Sequence, residues 1–234
     1  MIQELKLYFA PGTCARVPLI ALEEIGCPYA LEVMAFMKRQ HRSPEYLALN
    51  RSGKVPTLII DGQPLTENVA ILSWLADRFP EANLLPRANG LDRFEQLSDL
   101  AYCASGLHPI VTRLRIPHFF CDLPEAHDRV FDMAESAMKL HFATIDERLK
   151  LSTWWYGEHW SIVDAYINWV WFRVTGTAFD AAPFTNYARH HQDMQRRPAV
   201  GRMLERDAEI AAALAAQGLA VSFSGASAVK PASA

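Results

Sequence analysis

Several classes of protein are excluded by what the chain lacks. No run of about 18 apolar residues interrupts its 234 residues, which leaves no segment suited to a transmembrane helix. Met1 to Leu7 carries Glu4 and Lys6 without a basic-then-apolar leader pattern, so the expected compartment is the cytoplasm. Positive charge is not in excess. The formal net charge is −3, which offers no general attraction to nucleic acid or anionic membrane, and neither is an expected partner. Cysteine is sparse: Cys14, Cys27, Cys103 and Cys121 form no CxxC pair and no His/Cys metal spacing. They read as free thiols in a reducing compartment, with no disulfide frame and no metal. The one local basic cluster, Arg196, Arg197, Arg202 and Arg206, is interrupted by acids and reads as a solvated helix face.

What is present is ordinary globular material, 50% hydrophobic and 21% charged, enough for two modest cores. Leu5 to Phe9 reads as a buried strand stopped by Pro11-Gly12. Cys14 to Ile25 has helical spacing and ends at Gly26, and Tyr29 to Val33 reads as a second strand. A short helical turn starts at Ser43-Pro44-Glu45. Thr57 to Ile60, Asp61-Gly62 and Gln63 to Leu65 form a hairpin pattern, followed by a helix from Glu67 to about Arg78 with Thr66 as its expected cap. The order β-α-β-α-β-β-α is that of an α/β thioredoxin-like domain, placed at residues 1–80. After a linker the strand signals fade, and helices are expected over Leu91–Leu114, Pro124–Leu149, Ser161–Val174, Phe184–Gln195 and Pro198–Ala215. They make an all-α domain at 91–218. The Ser/Ala/Gly-rich residues 219–234 read as a flexible tail.

The first chemistry lies where strand turns into helix, at Pro11-Gly12-Thr13-Cys14. Thr13 can accept from an early helix N–H, and Cys14 falls at the positive end of the helix, which favours a thiolate. Arg16 adds a positive charge if its side chain folds back. A cysteine at a helix start is also a good space-filler, and the spacing alone leaves both readings open.

The octet Leu7-Tyr8-Phe9-Ala10-Pro11-Gly12-Thr13-Cys14 resembles the start of bacterial beta-class glutathione transferases, within the cytosolic glutathione S-transferase superfamily. The resemblance implies that Cys14 contacts glutathione. Phe9 stands where a tyrosine hydroxyl is common, Tyr8 points to the opposite face by strand alternation, and Ala15 replaces the usual serine. Thr13 and Cys14 are left as the catalytic candidates. Asn50 to Leu58 resembles the family segment that precedes a cis proline, implying a cis bond at Pro56, backbone pairing of glutathione at Val55, and Lys54 on the glycyl carboxylate. Leu65 to Ile71 resembles the motif whose helix start holds the γ-glutamyl end, through Glu67, Asn68 and free backbone N–H groups. His108, by likeness to a Leu-His pair on the long first helix, approaches the glutathione sulfur, while Pro109 must kink or interrupt that helix. Gly157 to Ala165 resembles a folding signature in which Ser161 and Asp164 form a capping box.

The expected second-substrate site combines Tyr102, Cys103, Arg113, Trp169, Phe172 and Arg173, with apolar walls for a hydrophobic electrophile and arginine for developing negative charge. The implied reaction is attack of glutathione thiolate, as co-substrate, on a small hydrophobic electrophile, by a homodimer. Dehalogenation or isomerisation can use the same frame. The alternatives are a thiol-disulfide reductase using Cys14 and a non-catalytic binding or regulatory protein of the same fold.

Overall fold

A computed structural model describes residues 4–221. Most of the expected tail, 222–234, lies outside the described residues. A four-stranded sheet runs in the order β2-β1-β3-β4. Strand β1 (Leu5–Phe9) lies parallel to β2 (Ala30–Val33) and antiparallel to β3 (Thr57–Ile60), which forms a hairpin with β4 (Gln63–Thr66). Period-two alternation sends Leu5, Leu7 and Phe9 into the core, and Tyr8 out the other way, where it packs on Tyr46 with ring centroids 5.0 Å apart. Helix α1 (Arg16–Ile25) follows β1, α2 (Pro44–Leu49) precedes β3, and α3 (Asn68–Arg78) follows β4. This is the thioredoxin-like arrangement that the sequence implies.

Helices make up the rest: α4 (Gly90–Ala101), α5 (His108–Arg115), α6 (His127–Lys150), α7 (Ile162–Thr175), α8 (Thr185–Gln195) and α9 (Pro198–Ala216). The expected long first helix is one rod with a defect. Between α4 and α5, Tyr102–Leu107 winds as a π-helix, with His108 N–H donating to the Cys103 carbonyl. The wider turn places Pro109 in the opening turn of α5, where its missing N–H removes no bond.

Helix α7 is buried on nearly every side, and its start is fixed by one carboxylate. Asp164 accepts from Ser161 N (2.8 Å), Ser161 Oγ (2.9 Å), Trp155 N (2.8 Å) and His190 Nε2 (2.9 Å), all out of contact with water. Ser161 and Asp164 form the capping box expected of them.

The basic cluster near the end of the chain is both a solvated face and a tie between helices. Arg196, paired with Asp193, and Arg202 and Arg206 keep exposed side chains, as a solvated face requires, but the cluster also pairs with α1. Arg197 binds Glu24 at 2.7 Å, and Arg202 and Arg206 reach Glu23 at 2.6 and 2.8 Å, so α9 clamps α1. Burial opposes charge on Glu23, but hydrogen bonds from Tyr29, Arg202 and Arg206 outweigh it and hold the carboxyl below its usual range. Positions 202 and 206 share a helix face, so one carboxylate on α1 can take both.

Candidate functional site

Three chain segments meet at Cys14. Its thiol donates to the Val55 carbonyl at 3.6 Å, and its own carbonyl accepts from Asn68 Nδ2 at 3.2 Å. The turn after β1, the loop before β3 and the start of α3 are thereby joined.

The turn departs from expectation in its charge state. Helix α1 begins at Arg16, leaving Cys14 just ahead of the helix, only 7% exposed. Burial pushes the thiol up to about 12, despite backbone hydrogen bonding and nearby Arg173 that pull the other way. Cys14 is therefore a neutral donor near pH 7, and the lowered thiol pKa read from the helix position is overturned by desolvation. Thr13 accepts from Ala15 N at 3.3 Å as expected, but its hydroxyl donates to the Ala10 carbonyl at 2.6 Å. Arg16 does not fold back onto Cys14. It lies on the Phe172 ring, 4.0 Å from the centroid, and is paired with Asp207.

The loop before β3 is held from beneath. Val55-Pro56 is a cis bond. Tyr46 Oη donates to the Lys54 carbonyl at 2.6 Å and meets Thr57 Oγ1 at 2.9 Å, while Asn50 Nδ2 donates to the same two acceptors at 2.8 and 3.0 Å. This buried network leaves the Lys54 side chain outside and Val55 on the site wall.

Helix α3 does not start as the sequence suggests. Thr66 closes β4 opposite Thr57 instead of capping, and Glu67 takes the N-cap position at φ 70°, a backbone region that strains any residue but glycine. Among the described residues no side chain caps α3, so its first N–H groups remain available to an anion. Glu67 is exposed at this edge and Asn68 is buried beneath it.

The helical half brings His108, Trp169 and Arg173 to the same place. His108 Nδ1 lies 3.3 Å from Tyr166 Oη and its ring meets Trp169 edge-on at 4.6 Å. Burial, then Lys54 and Arg173, lower His108 to about 4, so it is neutral at pH 7. Burial, then Arg115 and Arg16, lower Arg173 to about 9, which leaves it a cation. Its Nη1 lies 3.7 Å from where a side chain on Gly12 would begin. Trp169 Nε1 donates to the Gly12 carbonyl at 3.3 Å.

Other expected members lie elsewhere. Tyr102 bonds His141 at 3.0 Å and stacks on Trp155, and Cys103 is sealed in the core near Asp99 and Asp164, where burial raises its thiol. Arg113 lies over Phe120, 4.9 Å from its centroid. One helical face over, Arg115 donates to the Gly176 carbonyl at 2.5 Å and is the arginine that acts on Arg173. Seven residues is nearly two full turns, so Arg115 shares a face with His108, a signal present in the sequence and not used. Tyr166 joins the site from outside the expected set, through its hydroxyl on His108. It is fully buried, and burial followed by Cys14 raises its hydroxyl well above the usual range.

A family model, "Glutathione S-transferase, N-terminal domain", matches residues 3–77. Glutathione S-transferase GstA of Escherichia coli O157:H7 is 32% identical over 217 residues, 92% of this chain and 100% of that protein. The chain belongs to the glutathione S-transferase family. Among solved structures, a sphingomonad glutathione S-transferase complexed with glutathione is 30% identical with TM-score 0.76, covering 87% of this chain and 98% of its own. The bacterial beta-class glutathione S-transferase of Sphingomonas chungbukensis is also 30% identical, with TM-score 0.77, over 86% and 98% of the two chains.

In this transferase Gly53 carries a first test of the site wall. It sits at φ 60°, and an added Cβ would come 2.7 Å from the His41 backbone oxygen. Gly53→Ala is expected to destabilise the protein by about 1–3 kcal/mol through strain at that position. Thermal melts of the variant read the effect, and an unaltered midpoint contradicts the strain assigned to Gly53.

Proposed function

We propose that this transferase binds glutathione across the three joined segments and adds its thiolate to a small hydrophobic electrophile. The observation that carries the reading is the junction at Cys14, bonded at once to the Val55 loop and to the Asn68 helix start. In this reading the backbone at Val55 pairs with the cysteinyl unit, Lys54 takes the glycyl carboxylate, and the open start of α3 takes the γ-glutamyl carboxylate, with Glu67 facing the ammonium. A glutathione sulfur set there lies among neutral donors, Cys14 and His108, with cationic Arg173 nearby. Each favours the charged over the neutral sulfur, and fixed donors need little rearrangement as the reaction proceeds. The electrophile would lie on the α5–α7 side, where Trp169, Phe172, Arg115 and Arg173 gather.

Isothermal titration with glutathione, followed by conjugation of an aromatic halide, tests the reading. Saturable binding with turnover supports it, and no heat at millimolar glutathione overturns it. Thiol-disulfide exchange is the second reading, supported by the presence of Cys14 itself. Cys14 would attack a mixed disulfide, release the other thiol, and be freed by a second glutathione with formation of glutathione disulfide. A thiol held at about 12 is a poor nucleophile at neutral pH, which favours conjugation.

We also propose a homodimer. Leu91, Phe94 and Leu97 are 73%, 67% and 39% exposed along one side of α4, an apolar stripe unusual on a monomer. Phe94→Glu is expected to convert the dimer to monomer in light scattering after size exclusion, and an unchanged mass contradicts the assignment. The four unpaired cysteines suit the cytoplasm.

A further inference from the structure

Helix α9 presents a stripe to the rest of the protein that reads Ala199, Val200, Met203 and then Asp207. A carboxylate at the fourth place of an apolar stripe is expensive to bury unless every bond is made. Asp207 is 5% exposed and makes three. Its Oδ1 accepts from Gly12 N at 2.8 Å and from Arg16 Nε at 2.8 Å, and its Oδ2 accepts from Arg16 Nη2 at 2.5 Å. These bonds cross from the last helix to the turn after the first strand. The Gly12 carbonyl is taken by Trp169 of α7. Both polar atoms of Gly12, at φ 72°, are therefore held by the helical half of the protein, and Thr13 and Cys14 are the next residues along the chain.

We propose that Asp207 is a positioning residue for the catalytic turn: by holding the Gly12 peptide and Arg16 it fixes where Thr13 and Cys14 point. Within the turn the bonds are local, Thr13 N to the Ala10 carbonyl at 3.3 Å and Arg16 N to the Thr13 carbonyl at 3.1 Å, and they set its curvature. They do not set its tilt against the Val55 loop. The bonds from Cys14 to Val55 and from Asn68 to Cys14 hold the far side of the turn, Asp207 holds its near side at Gly12, and it also keeps the Arg16 guanidinium on Phe172 and off the Cys14 sulfur. Other ties between α1 and α9, such as Arg202 to Glu23, lie near the far end of α1 and bind the helices without touching the turn.

Alkylation of Cys14 by iodoacetamide, followed by peptide mass spectrometry on ligand-free protein at pH 8, tests this directly. Asp207→Ala is expected to speed alkylation about tenfold, the scale of losing a hydrogen bond to a charged group. Arg202→Ala, which cuts two bonds between the same helices, leaves the rate unchanged. Equal acceleration in both variants, or none in Asp207→Ala, overturns the proposal. Should Asp207→Ala fail to fold, Asp207→Asn keeps an oxygen for Gly12 N and Arg16 Nε but loses the charge and the bond from Arg16 Nη2; a rate between wild type and tenfold supports the proposal, and a wild-type rate overturns it. A kinetic arm rests on the glutathione reading: Asp207→Asn lowers kcat with KM for glutathione held within about twofold, as a displaced donor acts on the reacting sulfur more than on the bound peptide. A fall in affinity with kcat intact counts against positioning. If wild-type protein neither binds nor turns over glutathione, the function reading fails while the alkylation arm still reports on the turn.

Discussion

Cys14→Ala is expected to lower conjugation at pH 6.5 by about 10–100-fold, the value of one hydrogen bond to a charged group, and to abolish any thiol-disulfide exchange. The argument rests on the charge state of Cys14. Held at about 12 by burial, it would, in the proposed binding mode, meet glutathione as a thiol whose proton goes to the Val55 carbonyl in the free protein and can turn to a neighbouring sulfur anion. A donor to the anion lowers its pKa, so removing the donor raises it. The acid limb of the rate profile of Cys14→Ala should therefore move upward by about 1–2 pH units, each unit being about 1.4 kcal/mol. The defect is then large at pH 6.5 and small near pH 9. Cys14→Ser restores a donor and most of the conjugation, but not disulfide exchange, which needs a covalent bond to sulfur. Stopped-flow and steady-state rates across pH 6 to 9.5 read all three proteins. A pH-independent loss contradicts the donor role, and a Cys14→Ser protein as impaired as the alanine variant points to covalent chemistry at this position.

Asp164→Ala has the largest expected effect on stability. Removing the carboxylate leaves the Ser161, Trp155 and His190 donors facing each other in a water-free space. Breaking a buried hydrogen-bonded charge costs about 3–5 kcal/mol, out of a total of about 5–15 kcal/mol for a native protein. Helix α7 carries Trp169 and Arg173, so glutathione chemistry should fall with the folded fraction. Asp164→Asn keeps one acceptor and loses less. Guanidinium denaturation measures both, and a midpoint for Asp164→Ala within the error of wild type contradicts the assignment of Asp164 as the anchor of α7.

The sequence carried the local parts of this architecture well. The hairpin at Asp61-Gly62, the stop at Gly26 and the Ser161–Asp164 box are made by residues within a few positions of each other, and local pattern specifies them. The segments proposed to hold glutathione were read only through their likeness to a family, and of what that likeness implies, the cis bond at Pro56 is present in the structure. What was not legible depends on distant contacts. The helix start left Cys14 open between a thiolate and a buried space-filler, and burial makes it a thiol. Asp207 took Arg16, 191 positions away, so the guanidinium that was to assist the sulfur sits on Phe172. Glu23 and Glu24 add a clamp on α1 to arginines of which two, Arg202 and Arg206, stay exposed. Thr66 was spent on the β4 edge, leaving Glu67 at the strained N-cap of α3. Arg115 and Tyr166 were within reach of helical periodicity, since each lies on the face of its helix that meets His108. The defect before Pro109 shows the opposite case, a single residue whose missing N–H is accommodated by the preceding six-residue π-helix.

The most direct test of the central claim is a crystal structure of the protein soaked with glutathione. The account predicts the peptide backbone paired with Val55, the γ-glutamyl carboxylate at the N–H groups opening α3, and the sulfur within hydrogen-bonding distance of Cys14 Sγ. Glutathione bound with its sulfur turned away from Cys14, or seated outside the Val55 and Asn68 walls, would contradict it.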